Sequence, residues 1–310
     1  MMRIAVIGAG AVGSYFGGRL AQAGNDVSFV ARGKHLEALR QRPLRVESIN
    51  GDFEVKVSAT DSPEDIGHVD VVFVAVKGWQ VPEAAALIPP LIDRRSVVIP
   101  LQNGVEAPAQ LIHVLGRERV VGGFCKIIAF VTGPGHVRHL GADPFIAFGE
   151  LTPPSASERL EKIRDEFMRA GVTCEIPADI TGAMWEKFIF IASISGVGAV
   201  TRLPIGQIRS GKETRAELDH AIREMAAVAA ALNVTLPHDI VARTFGYIDG
   251  LPADGTASMQ RDIMEGRPSE LESQTGAVVR LGRSAGVATP THDAIYRALA
   301  PLERRVRDRF

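Results

Sequence analysis

At 310 residues the chain is longer than one hydrophobic core usually organises, so two domains are expected. Its 46% hydrophobic and 23% charged residues, with a net charge of -1, offer no basic excess for nucleic acid or an anionic membrane, and neither partner is expected. The two cysteines, Cys125 and Cys174, lie in apolar settings without metal-ligand spacing, which predicts reduced, buried thiols in a cytoplasmic protein.

Arg3–Ile7 reads as a short buried strand. Gly8-Ala9-Gly10-Ala11-Val12-Gly13 follows at once and opens a helix that runs to Gly24. Such a glycine pattern is weak by itself in a chain with 31 glycines, but wedged between strand and helix it is the signature of dinucleotide binding. Gly8 permits the tight turn, Gly10 lets the backbone approach a pyrophosphate, and Gly13 lets helix and strand pack closely. The helix N-terminus then presents N–H groups and the positive end of its dipole to the anion. The first apolar run is this strand itself and lacks a cleavage pattern, so no leader peptide is expected. The second strand, 27–31, ends in Arg32-Gly33-Lys34, where an NAD site carries an acid. Two cations there favour the 2′-phosphate of NADP(H). The alternatives are solvated surface charges, or an arginine lying over the adenine without selecting the phosphate.

A helix is predicted over 34–42. Segments 44–48 and 53–57 flank Asn50-Gly51, a hairpin signal, and the pair is expected to insert at the sheet edge. Residues 69–76 form a β-branched run, the pattern of a parallel strand covered on both faces, with Lys77 at its carboxyl end. A crossover helix over 82–91 and a buried strand over 96–100 lead to Gln102-Asn103-Gly104. Ligands of open α/β sheets bind at strand carboxyl ends, which places Lys77 and Asn103 on the cofactor edge. Strands over 120–131 and 136–150, joined through Gly133-Pro134-Gly135, a helix over 155–170 and a strand over 172–176 close the first domain near Ala178. His136 and His139 have no acid or cysteine to partner them, and no metal site is expected.

From Asp179 the pattern is helical throughout. An apolar helix is predicted over 181–200, and an amphipathic one over 213–232 carries Leu218, Ile222, Met225, Ala229 and Leu232 on one stripe. A helix over 239–250 and a last one from Pro290 follow. Ser269-x-x-Glu272 reads as a capping box that starts a helix stopping at Gly286. The uncharged run 188–201 is too short to cross a bilayer and is read as a buried helix. The fold class is therefore α/β: an N-terminal Rossmann-type, doubly wound, mainly parallel sheet over 1–178, then an all-α C-terminal domain over 179–310 whose apolar helices leave room for a homodimer.

Lys187 is the oddity of the second half, because Ile191 and Ser195 occupy the i+4 and i+8 positions of its own stripe. It either snorkels to the surface or sits in a pocket, where desolvation lowers an ammonium pKa towards the range of a general acid for a carbonyl oxygen. Glu270, one residue past Ser269, can serve simply to stabilise a helix dipole. Ser258, just after the Gly255 turn, reads first as a helix cap, and Trp185 as core.

Several segments in order resemble one family. Gly8-x-Gly10-x-x-Gly13, Lys77-Gly-Trp-Gln-Val81, Gln102-Asn-Gly104, Pro134-Gly-His-Val-Arg-His-Leu-Gly141, Met184-Trp-Glu-Lys-Phe188, Ser258-Met-Gln-Arg-Asp262 and Arg267-Pro-Ser-Glu270 are similar to those of the ketopantoate reductases, across nearly the whole chain. The resemblance implies NADPH and reduction of a 2-oxo acid between a Rossmann domain and a helical one. It implies Lys187 as proton donor, Glu270 as the carboxylate working with it, and Ser258 as a ligand of the substrate carboxylate. It also implies Asn103 as a contact of cofactor and substrate, Lys77 as a group near the nicotinamide ribose, and Arg32 as the ligand of the adenosine phosphate. Four asparagines of the family pattern are missing: Ile191, Ser195, Ile205 and Gly255 stand in their places. The expected substrate is then a 2-oxo acid with a more apolar side chain. Authentic 2-dehydropantoate reduction in pantothenate synthesis, with Ser195 standing in for a lost amide, and a non-catalytic NADP(H)-binding sensor are the alternatives.

Overall fold

The computed structural model describes Met1–Arg309. Contacts divide the chain into two units: Met1–Gln102 with Ala107–Ile180, and Asn103–Glu106 with the residues from Thr181 onward. Where the sequence placed one boundary after Ala178, the short loop Asn103–Glu106 also groups with the helical unit.

The first unit contains, in chain order, β1 (Arg3–Ile7), α1 (Ala11–Gln22), β2 (Asp26–Val30), α2 (Gly33–Gln41), β3 (Leu44–Ser48), β4 (Phe53–Val55), β5 (Ser58–Thr60), β6 (Val71–Val74), α3 (Val81–Ala86), β7 (Val97–Pro100), α4 (Ala107–Leu115), β8 (Gly122–Gly133), β9 (His136–Gly149), α5 (Glu158–Arg169) and β10 (Thr173–Glu175). Five strands form a wholly parallel sheet in the order β5-β2-β1-β6-β7, the strand order reversing on either side of β1. Alternate residues of these strands enter different cores. Ile4, Val6, Phe29 and Phe73 join Tyr15 and Phe16 of α1 and Phe167 of α5 on one face, while Ala5, Ile7, Val72 and Val74 join Val81 and Ala85 of α3 and Leu111 of α4 on the other. Both faces are covered, which is why β6 reads as an unbroken apolar run. Each fully buried aromatic or branched side chain adds roughly 1.5–3 kcal/mol of transfer free energy.

The Asn50-Gly51 hairpin forms, with Leu44 opposite Val55 and Val46 opposite Phe53, but it does not join the parallel sheet. β3 instead pairs with β9 in a second sheet, ordered β10-β9-β3-β4 with β8 antiparallel on β9. The inward side chains decide this. Leu44, Val46 and Phe53 are buried in the α1 core, and the edge of the parallel sheet is taken by the short β5, which the sequence reading missed.

The second unit is helical: α6 (Ile180–Thr201), α7 (Ile205–Ser210), α8 (Lys212–Ala231), α9 (Ile240–Asp249), α10 (Ser258–Met264), α11 (Thr275–Ala285) and α12 (Pro290–Arg307). α6 is long and apolar enough to cross a membrane, yet 67% of its most apolar stretch is buried in the protein, against the α8 stripe of Leu218, Ile222 and Met225. Trp185 belongs to that core, edge-on to Phe188 at 5.7 Å. The capping box at Ser269 does not form. α11 begins only at Thr275, preceded by a turn over 270–274, so Glu270 is not in a first helical turn. The Ser269 hydroxyl accepts from Leu271 N–H at 3.2 Å while donating to Glu303 of α12 at 2.6 Å, and the Glu272 carboxylate that a capping box would turn back is taken by Arg280 and by the Tyr296 hydroxyl.

Candidate active site

Within the first unit, the turn after β1 sorts its three glycines by physical role. Gly8 has a φ of +101°, and a Cβ there would lie 2.8 Å from Val76 Cγ1. A Cβ on Gly13 would lie 2.1 Å from the Gly8 carbonyl oxygen. A Cβ on Gly10 would meet nothing within 4 Å, and Gly10, at the start of α1, makes no side-chain cap. Two glycines are thus required by the protein's own packing. The third leaves open space in front of uncapped amides, the arrangement that fits a pyrophosphate. Ala9 is buried, and Ala11 and Val12 are half-buried in the first turn of the helix.

Other parts of this unit surround the same strand ends. Gln102, 5% exposed, donates from Nε2 to the Val74 and Val76 carbonyls at 2.8 and 3.0 Å and so fixes the carboxyl end of β6. Lys77 follows, exposed, its N–H donating to Gln80 Oε1 at 3.2 Å and its ammonium 6.0 Å from the Trp79 ring. Arg32 is exposed just before α2 and pairs with Glu83 of α3 at 2.7 Å, while Lys34 is exposed beside it. His35, which the sequence reading passed over, accepts a bond from Gly135 N–H at Nδ1 (3.2 Å) and has its Nε2 3.5 Å from the Ser14 hydroxyl of α1. Burial pushes its pKa below the ordinary imidazole value. Its only signal in the sequence was its place three residues past Arg32.

His139 is not exposed for metal binding. Its Nδ1 lies 2.9 Å from the Ser48 hydroxyl, its Nε2 2.9 Å from the Ala142 carbonyl, and its ring 4.8 Å from Tyr15. Among the described residues no three His, Cys, Asp or Glu side chains group as a metal would need. Cys125 and Cys174 are both buried and in no disulfide, and burial pushes the Cys174 thiol up to about 12.

The second unit holds a carboxylate-centred group. Glu270 is 5% exposed, and its Oε2 accepts from Asn103 Nδ2 at 3.0 Å and from Gln274 Nε2 at 3.4 Å. A Cβ on Gly104, whose φ is +111°, would lie 2.8 Å from the Ser273 carbonyl, so the Asn103 loop lies flat against the turn that carries Glu270. Asn103 and Glu270 are thereby brought together although 167 residues separate them. Gln274 was missed by sequence reading, its signal being only the i+4 spacing from Glu270.

Lys187 is half-buried on α6, one turn before half-buried Ile191 and two turns before Ser195. Ser195 is 0% exposed, and its hydroxyl has no hydrogen-bond partner. Ser258 is the first residue of α10, half-buried, and Ala257 rather than Ser258 occupies the cap position. Ile205 and Gly255 meet directly: Ile205 N–H donates to the Gly255 carbonyl at 2.9 Å, and a Cβ on Gly255 would lie 3.3 Å from Ile205 Cδ1.

Comparison with known proteins covers both units. The family model described as ketopantoate reductase PanE/ApbA matches residues 4–153, and that described as its C-terminal part matches 179–303. An uncharacterised oxidoreductase of Bacillus subtilis, YkpB, is 30% identical over 97% of this chain and 99% of its own. The crystal structure of a PanE/ApbA family ketopantoate reductase from Ralstonia eutropha JMP134 has a TM-score of 0.89 at 31% identity, covering 99% of this chain and 100% of that one. The fold is also that of a D-mandelate dehydrogenase solved with NADH and anilino(oxo)acetate, TM-score 0.89 at 23% identity, with 99% and 100% coverage.

Proposed function

Because the chain belongs to the ketopantoate reductase family of oxidoreductases, we propose that it reduces a 2-oxo acid to a 2-hydroxy acid with NADPH, in a pocket more apolar than a ketopantoate site needs. The observation that carries the reading is the buried Glu270 carboxylate bonded to Asn103, since a buried carboxylate costs free energy unless partners or function retain it.

The turn at Gly8, Gly10 and Gly13 would hold the dinucleotide, with Arg32 and Lys77 as further contacts, and the bound cofactor would supply the hydride. Lys187 delivers the proton to the carbonyl oxygen and stabilises the negative charge developing there. Glu270 favours the ammonium form of Lys187 by its charge and is itself oriented by Asn103 and Gln274. Ser258 takes the substrate carboxylate. Ile191 and the Ile205–Gly255 contact support an apolar side-chain pocket, because each stands where the family pattern has an amide. A site without those amides has no means to favour a hydroxylated keto acid over analogues lacking the hydroxyl, a distinction worth up to about 10⁴-fold where such bonds are made. Two buried cysteines in no disulfide accord with a reducing, cytoplasmic setting.

One observation favours a second reading. The unpartnered Ser195 hydroxyl, buried on α6, is able to bond a substrate hydroxyl in place of a lost amide, which would make the substrate 2-dehydropantoate itself. A panel of 2-oxo acids, including ketopantoate and benzoylformate, assayed with NADPH and NADH in parallel decides between them. Turnover of apolar 2-oxo acids above ketopantoate is the expected result, and preference for ketopantoate establishes the second reading. Bound NADPH with no turnover across the panel leaves only a nucleotide sensor.

A further inference from the structure

We infer that Glu303 of α12, together with Arg307, is a positioning residue for Glu270. The inference rests on the role of Glu270 proposed above. Glu303 is 8% exposed, and its partners converge on one neighbour. Ser269 N–H donates to its Oε1 and Oε2 at 2.9 and 3.2 Å, and the Ser269 hydroxyl donates to Oε2 at 2.6 Å. Arg307 closes the arrangement, donating from Nε to Glu303 Oε1 at 2.8 Å and from Nη2 to the Ser269 carbonyl at 2.9 Å.

Ser269 is therefore held at its amide, its side chain and its carbonyl by one ion pair. That carbonyl belongs to the rigid peptide plane it shares with the Glu270 N–H, so fixing it sets the direction in which the Glu270 side chain departs. The clamp is needed because this stretch lies between the end of α10 at Met264 and the start of α11 at Thr275, where no helical ladder fixes the backbone. Downstream, the same stretch is tied by Gln274 N–H to the Glu270 carbonyl at 2.9 Å. Its upstream hold comes from 34 residues away in sequence, which is the mark of a tertiary device rather than a local turn. A clamp of this kind acts on catalysis by geometry, where small misplacements of a reacting group are costly.

The test is a double-mutant cycle on the full-length protein, using the 2-oxo acid of the panel that is turned over best. Glu303→Gln keeps the side chain's shape and removes its charge; kcat should fall ~10-fold while the dissociation constant of NADPH, read by fluorescence titration, stays within ~2-fold. Added to Glu270→Gln, the same change should lower kcat by less than ~2-fold, because Glu303 acts only through Glu270. Ser269→Ala and Arg307→Gln each remove part of the clamp, should give smaller losses with the same coupling, and stand in if Glu303→Gln does not fold. Wild-type kcat in Glu303→Gln, or a ~10-fold loss that persists in the Glu270→Gln background, overturns the inference alone. Wild-type kcat in Glu270→Gln overturns the catalytic reading of Glu270 and the inference with it.

Discussion

The glycine turn and the Glu270 group are built in opposite ways. Gly8, Gly10 and Gly13 lie within six residues, and their roles follow from what a methyl group would strike at each position. Glu270 is held by Asn103 from 167 residues away and, through Ser269, by Glu303 from α12. A nucleotide site made of backbone announces itself in a short pattern, whereas one made of side chains on separate elements becomes visible only in three dimensions.

The largest effect that separates the two regions is expected from Lys187→Ala. Turnover should fall by at least ~100-fold, the scale of a positioned general acid, while NADPH affinity is retained because the glycine turn proposed to hold the nucleotide is made of backbone that the substitution leaves untouched. Steady-state kinetics beside a binding titration checks this, and near-normal turnover would remove Lys187 from the mechanism. Next come the glycines themselves. Gly13→Ala forces a methyl to within 2.1 Å of the Gly8 carbonyl and should cost about 1–3 kcal/mol of stability, read as a fall in the urea midpoint. Gly10→Ala puts its methyl into open space, so the midpoint should hold while NADPH binding weakens. Unchanged NADPH affinity in Gly10→Ala would show that the open face of Gly10 is not where the nucleotide lies.

These contrasts show what was legible. The βαβ start, the doubly covered strands and the helical second half follow from periodicity and glycine context, and α1, β6 and α8 stand within a few residues of their predicted bounds. The destination of the β3–β4 hairpin was not legible, because Leu44 and Phe53 are apolar enough for either sheet and only packing on α1 decides. Ser269-x-x-Glu272 misled for a related reason: the capping signal is local, and the groups that take the Glu272 carboxylate, Arg280 and Tyr296, are 8 and 24 residues away. Gln274 escaped notice, and Gln102 was read only as part of a loop, because a lone glutamine carries no spacing signature, although each orients a strand end or a site carboxylate.

A smaller effect concerns cofactor choice. Arg32 stands where the sequence suggests a 2′-phosphate ligand, yet its guanidinium pairs with Glu83 in a largely exposed ion pair. An anion beside that position opposes a phosphate and is able to accept from a ribose hydroxyl. Glu83→Gln should therefore raise the preference for NADPH over NADH, by up to about fivefold given the small worth of exposed pairs. Titrating both cofactors against wild type and variant measures it, and an unchanged ratio would mean that Glu83 takes no part in selection.

The smallest effect sets the two units against each other along the pH axis. His35 accepts a backbone bond at Nδ1, which only the neutral ring can do, and burial lowers its pKa. Its contribution to stability is complete above the ordinary imidazole value of about 6.5 and is lost as pH falls through the lowered one. In the helical unit, Glu224 caps the start of α12, accepting from Thr291 N–H at 2.6 Å, His292 N–H at 3.1 Å and His292 Nδ1 at 2.8 Å. Burial pushes its pKa up and is the largest single influence, but the bonds from His292 and Thr291 together outweigh it, and the carboxyl ends below its usual range. That contribution is present above the ordinary carboxylate value of about 4.3 and is lost only as pH falls through the lowered one. Stepwise acidification should thus loosen the contact between α2 and the β8–β9 turn before the start of α12, seen as earlier loss of amide protection around Gly135 than around Thr291 and His292. His35→Asn, which keeps an acceptor and cannot titrate, should abolish the first step alone, and Glu224→Gln the second. Simultaneous loss of protection at both places would show that the two units do not respond to acid independently.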